Sequence, residues 1–142
     1  MALRHRVACT AASSGRRRRP GLSALHLALA PDTPLRAAET LDLQLREHVA
    51  LDALTKGAAT AADLVVLRTS ATVARALCAV GYGHDELPTV AAVEQALDTD
   101  GLAGGRAAAV RALLELHDGQ RMAVTVRDYA HALAFARRLQ RR

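Results

Sequence analysis

At 142 residues the chain fits one ordinary domain, and its apolar residues are mostly leucine, alanine and valine, with no isoleucine or tryptophan and only Tyr82, Tyr129 and Phe135 as aromatics, a composition that favours helices over sheets. The formal charge of +5 is concentrated at one end: Arg4, Arg6, Arg16, Arg17, Arg18 and Arg19 precede Leu22 with no acid among them, whereas Leu22 to Arg142 carries 13 basic and 14 acidic residues. No apolar run approaches the roughly 20 residues a membrane-spanning helix needs, and two cysteines, Cys9 and Cys78, make neither a disulfide framework nor a four-ligand zinc site.

In chain order, residues 1–21 show no periodicity and end in RRRRPG, which predicts a disordered basic arm ahead of a helical body over 22–142. Arg16 to Arg19 precede GLSALHLALA, whose Ala28-Leu29-Ala30 has the form of a cleavage site. Pro20, Gly21 and His26 interrupt that signal, so a cytoplasmic location is expected. Leu22 to Leu29 reads as a short helix stopped by Pro31 and Pro34. A long helical pattern follows from Leu35 to Thr55 or Lys56, with Gly57 as its stop.

Thr60 with Asp63 three residues on opens a second long helix that ends near Val80 at Gly81. Its apolar arc is so wide that only Arg68, Thr72 and Arg75 remain as a polar stripe, which predicts deep burial. A shorter helix after Pro88 places Val90, Val93 and Leu97 on one side, and DTDGLAGG reads as a flexible connection. Residues 106–123 put Val110, Leu113, Leu114 and His117 in register. Thr125 and Asp128 start a last helix expected to turn Tyr129, Ala132, Leu133, Phe135, Ala136 and Leu139 inward. The expected fold is all-α, a single-domain bundle of about five helices.

Chemistry-bearing patterns are sparse. TAADLVVLRTSATVARAL superficially resembles a helix-turn-helix, but Arg68, Thr69 and Ser70 stand where a sharp turn needs glycine, so one continuous helix is the better reading. His48, Asp52 and Lys56 share a helix face beside Leu41, Leu45 and Val49, and His84 and His117 each neighbour acids, yet no nucleophile or H-E-x-x-H spacing accompanies them. Gly101 to Gly105 lacks the ending of a phosphate-binding loop, and Cys78, set among apolar residues, reads as an inert core thiol. Nothing calls for a cofactor or metal. The six arm arginines could attach to phosphates in a salt-sensitive, sequence-blind manner, while Arg137, Arg138, Arg141 and Arg142 suit the end of a helix.

The stretch from about Leu51 onward, with ALDALTKGAATAADLVVL, ALCAVGYG and LLELHDGQRMAVTVRDYAHAL, resembles small proteins encoded by prophages and other mobile elements of high-GC bacteria. That resemblance implies a bacterial or phage setting and brings no catalytic residues with it. The function expected is therefore a non-enzymatic interaction protein. Its body would bind a protein partner or a second copy of itself, with Arg68 and Arg75 as body contacts, and its arm would attach to nucleic acid or an acidic surface. The alternatives are a helix-turn-helix regulator, requiring a break near Arg68 to Ser70, and a small enzyme, requiring at least two of His48, His84, His117 and His131 to meet carboxylates in one pocket.

Overall fold

The computed structural model describes residues 32–99 and 103–141, all of the regular structure being helical: α1 (Ala37–Thr55), α2 (Ala61–Ala79), a 3-10 turn (His84–Glu86), α3 (Leu87–Asp98), α4 (Ala103–Ala123) and α5 (Val126–Leu139). The arm, with Arg4, Arg6, Arg16, Arg17, Arg18 and Arg19, and the short helix expected over Leu22 to Leu29 lie outside the described residues.

Local chemistry fixes the ends of the helices. The Thr60 hydroxyl accepts from the Asp63 amide while the Asp63 carboxylate accepts from the Thr60 amide at 2.8 Å, so two orphan donors at the start of α2 are satisfied reciprocally. Those bonds hold the Asp63 carboxyl below its ordinary pKa. Thr125 caps α5 in the same way, but the Asp128 carboxylate instead accepts from the Tyr82 hydroxyl at 2.8 Å, tying the loop after α2 to the start of α5. At the other end of α1, Gly57 adopts φ +69°, and the Gly57 and Ala58 amides donate back to Leu54 and Ala53 carbonyls. Gly81, at φ +108°, closes α2 with the equivalent pair of bonds from Gly81 and Tyr82 to Cys78 and Leu77. Glycine reaches this left-handed backbone without the Cβ penalty any other residue would carry.

α2 packs against all four other helices. On one side, Leu67, Ala71, Ala74 and Cys78 meet Ala50, Leu51 and Leu54 of α1, Val90, Val93 and Leu97 of α3, and Val110, Leu113 and Leu114 of α4. On another, Val73 and Leu77 meet Val124 and, from α5, Tyr129, Ala132 and Ala136. The start of the body is pinned to the α4–α5 connection, where the Val126 amide donates to the Thr33 carbonyl at 2.8 Å and the Leu35 amide to the Val124 carbonyl at 3.3 Å. Two expectations for α5 need correction. Phe135 and Leu139 are 39% and 40% exposed rather than inward, because α5 turns Tyr129, Ala130, Ala132 and Ala136 into the core, with Leu133 partly buried beside them.

Candidate functional site

The deepest polar chemistry joins α1, α2, α4 and α5. Arg121 of α4 is almost fully buried and grips Glu47 of α1 through both fork arms, Nη1 to Oε2 at 2.7 Å and Nη2 to Oε1 at 2.6 Å. The Ser70 hydroxyl of α2 donates to Glu47 Oε1 at 2.5 Å, and Arg121 also donates to the Tyr129 hydroxyl of α5 and, at 3.2 Å, to Asp118. Paired forks of this kind give the strongest geometry available to a carboxylate and a guanidinium. Burial works against the Arg121 charge, but the bonds to Glu47 and Tyr129 outweigh it and hold its pKa above the ordinary value. Asp118 takes further bonds at the surface from Gln44 at 3.0 Å and lies 3.5 Å from His48.

His117 is fully buried beside this pair, its ring stacked on Tyr129 with centroids 6.1 Å apart. Its tautomer follows from its neighbour. Gln120 Nε2 faces three acceptors, the Ala74 and Tyr82 carbonyls and Cys78 Sγ, at 3.1, 2.8 and 3.2 Å, so the amide can be oriented only one way and its Oε1 is an acceptor toward His117 Nδ1 at 3.0 Å. Nδ1 therefore carries the proton, and Nε2 has no hydrogen-bond partner among the described residues. Desolvation foremost, and then the Arg121 charge, bring the His117 pKa down to about 4, so the ring is neutral at pH 7. Cys78 is buried as expected, and burial foremost raises its thiol pKa.

A cavity of about 240 Å³ opens between α1, α2 and α5 onto this network. Leu43, Val65, Val66, Val73 and Leu133 form its aliphatic side, and Arg46, Glu47, Thr69, Ser70, His117, Tyr129, Arg137 and Gln140 make up the rest of its lining.

The residues singled out from sequence fall elsewhere. Arg68 donates to the Leu97 carbonyl at 2.9 Å and pairs with Asp98, and Arg75 pairs with Glu94, so both tie α2 to α3. Arg68, joined by Arg106, thereby satisfies a carbonyl at the end of α3. α2 runs uninterrupted through Arg68, Thr69 and Ser70, without the break a helix-turn-helix needs. Asp52 bonds Lys56 at 2.6 Å along the α1 surface, and His48, His84 and His131 are all exposed. Among the described residues no group of three or more His, Cys, Asp or Glu is placed to hold a metal ion.

Sequence reasoning missed Glu47, Ser70, Gln120 and Arg121. A usable signal exists for two of them: Glu47 stands in the line of Leu43, Ala50, Leu51 and Leu54, and Arg121 follows Leu114 and His117 at helical spacing, so each is a charge in a core register.

The outer face of α1 is the other candidate. Leu41, Leu45 and Val49 are 63%, 61% and 58% exposed and form one line along the crest of the helix, opposite its core line. Compared with known family models, curated proteins and solved structures, the chain matches none.

Proposed function

We propose that this protein is a non-enzymatic interaction module whose body pairs with a second copy through α1, while the acid-free arm adds electrostatic attachment to nucleic acid or another polyanion. The observation that carries the reading is the Leu41, Leu45, Val49 crest on a helix whose opposite side is already buried. A helix apolar on both sides belongs in an environment that covers both.

The pattern is self-complementary. Leu41 and Val49 stand four residues to either side of Leu45, so a two-fold axis at Leu45 sets Leu45 against its equivalent and Leu41 against Val49 of the partner subunit. Asp42 and Arg46 flank the crest on one side, and in an antiparallel pair like flanks meet. Asp42 then lies about 3 Å along the axis from the level of Arg46 of the partner subunit. Neither residue has an ion-pair partner among the described residues. Covering the exposed part of each crest side chain contributes about 1–2 kcal/mol, which set against the roughly 4–15 kcal/mol cost of association places the dimer in the weak range.

Sedimentation equilibrium from 10 µM to 1 mM tests the reading. Wild type should shift from monomer toward dimer, and Leu45→Arg should remain monomeric with an unchanged helical spectrum. Monomer throughout, or equal dimerisation by Leu45→Arg, overturns it.

A further inference from the structure

We infer that the cleft between α1 and α5, over α2, binds a small amphiphilic carboxylate, with its short acyl or aryl body on the aliphatic side and its anionic head between Arg46 and Arg137. The inference goes beyond the pairing proposed for α1, since neither Leu41, Leu45 nor Val49 lines the cleft.

The packing explains why a cleft exists. α1 and α5 each rest on α2 without substantial contact with one another, so a strip of α2 is left uncovered between them. Along that strip α2 offers Val65, Val66 and Val73, and the flanking helices add Leu43 and Leu133. An aliphatic surface in a concave site favours an apolar guest. The volume sets the guest's size: about 150 Å³ lined by apolar groups suffices for the six carbons of benzene, so about 240 Å³ takes roughly ten heavy atoms.

The polar lining sets the guest's charge. Glu47 is the only acid in it, and its carboxylate is already matched by both fork arms of Arg121 and by the Ser70 hydroxyl. The Tyr129 hydroxyl accepts from Arg121, while the Thr69 hydroxyl donates to the Val65 carbonyl at 2.7 Å and accepts from Gln140. His117 is fully buried and takes no part. That leaves Arg46 and Arg137, one on each flanking helix, both exposed and both without an ion-pair partner among the described residues. The cleft therefore combines an aliphatic side with two unmatched guanidinium groups, and the complement of that pairing is an apolar body ending in an anion. A carboxylate suits it best, because its two oxygens match the planar fork of arginine.

The experiment is a ligand-observed NMR titration of the full chain with octanoate, which has ten heavy atoms, and in parallel with octanol, which keeps the chain but lacks the charge. Protein at 10 µM keeps α1 pairing unpopulated, so failure of either reading leaves the other intact, although Arg46 also flanks the crest. Octanoate should bind saturably and about tenfold more tightly than octanol, as two partly exposed ion pairs would give. Arg137→Gln should weaken octanoate about threefold and leave octanol unchanged. Val65→Trp locates the site, because Val65 is a half-exposed wall where a large ring occupies the cleft without entering the core. That variant should weaken both ligands while its helical spectrum stays that of wild type. Equal affinity for octanoate and octanol, octanoate binding untouched by Arg137→Gln, binding that survives Val65→Trp, or no saturable binding at all overturns the assignment. The octanoate and octanol comparison is made on wild type and decides the matter even where a variant fails to fold.

Discussion

Replacing Arg121 by methionine isolates what the buried pair contributes. Arg121 and Glu47 are at most a few per cent exposed, so the substitution leaves a desolvated carboxylate with the Ser70 hydroxyl as its remaining donor in the core. Breaking a buried pair from one side costs about 3–5 kcal/mol, a large part of the roughly 5–15 kcal/mol a domain of this size possesses. At about 4 °C per kcal/mol, the midpoint of thermal unfolding should fall by about 12–20 °C. Converting both partners, Glu47→Leu with Arg121→Met, removes the stranded charge. Ser70 can still donate to the Val66 carbonyl at 3.1 Å and Asp118 keeps Gln44, so only the Tyr129 hydroxyl loses its partners. The double variant should therefore recover to within about 1–2 kcal/mol of wild type. Urea denaturation of wild type, both single variants and the double closes a thermodynamic cycle. A loss below about 1 kcal/mol for Arg121→Met, or strictly additive singles, would refute the reading of this pair as the sealed polar joint of the bundle.

Acid should act on His117. Its folded pKa of about 4 lies below the ordinary 6.5, so between those values the unfolded chain binds the proton that the folded chain refuses. The stabilisation is fully present above about pH 6.5 and is lost as pH falls toward 4, to a total of about 3 kcal/mol. Urea midpoints at pH 7, 5.5 and 4.5 should drop more steeply for wild type than for His117→Phe, and parallel profiles would count against the buried neutral ring. Thr60→Ala removes one half of the reciprocal cap on α2 and should cost about 1 kcal/mol by urea denaturation; no measurable loss would mean that the Asp63 carboxylate alone holds the helix start.

The helices were legible wherever a local, short-range device defines them. Thr60 with Asp63, Thr125 with Asp128, and the glycines at 57 and 81 mark the boundaries of α1, α2 and α5 because each acts within one turn of chain. The inward face of α2 could be read for the same reason, since Leu67, Ala71, Ala74 and Cys78 recur at helical spacing. What could not be read is pairing across the bundle. Glu47 and Arg121 are separated by 74 residues, and nothing near either reveals the other. Gln120 is equally opaque, because its three acceptors come from α2 and the loop after it.

The orientation of α1 shows how such a long-range contact overrules a local pattern. This helix carries two apolar lines, Leu41, Leu45 and Val49 on one side and Leu43, Ala50, Leu51 and Leu54, interrupted by Glu47, on the other. Hydrophobic patterning alone turns the charge-free line inward, since burying an unpaired carboxylate is prohibitive. The interrupted line is nevertheless the one that packs, because Arg121 meets Glu47 with a two-armed fork and Ser70 completes the carboxylate's bonds. Once that compensation is supplied, the interrupted line offers Ala50, Leu51 and Leu54 to the core, and the purer line faces outward by geometry rather than by any preference for water. The crest offered to a partner and the buried ion pair are thus two results of one rotational setting of α1. An Arg121 substitution that lets α1 turn should cover Leu45 at the same time as it exposes Glu47.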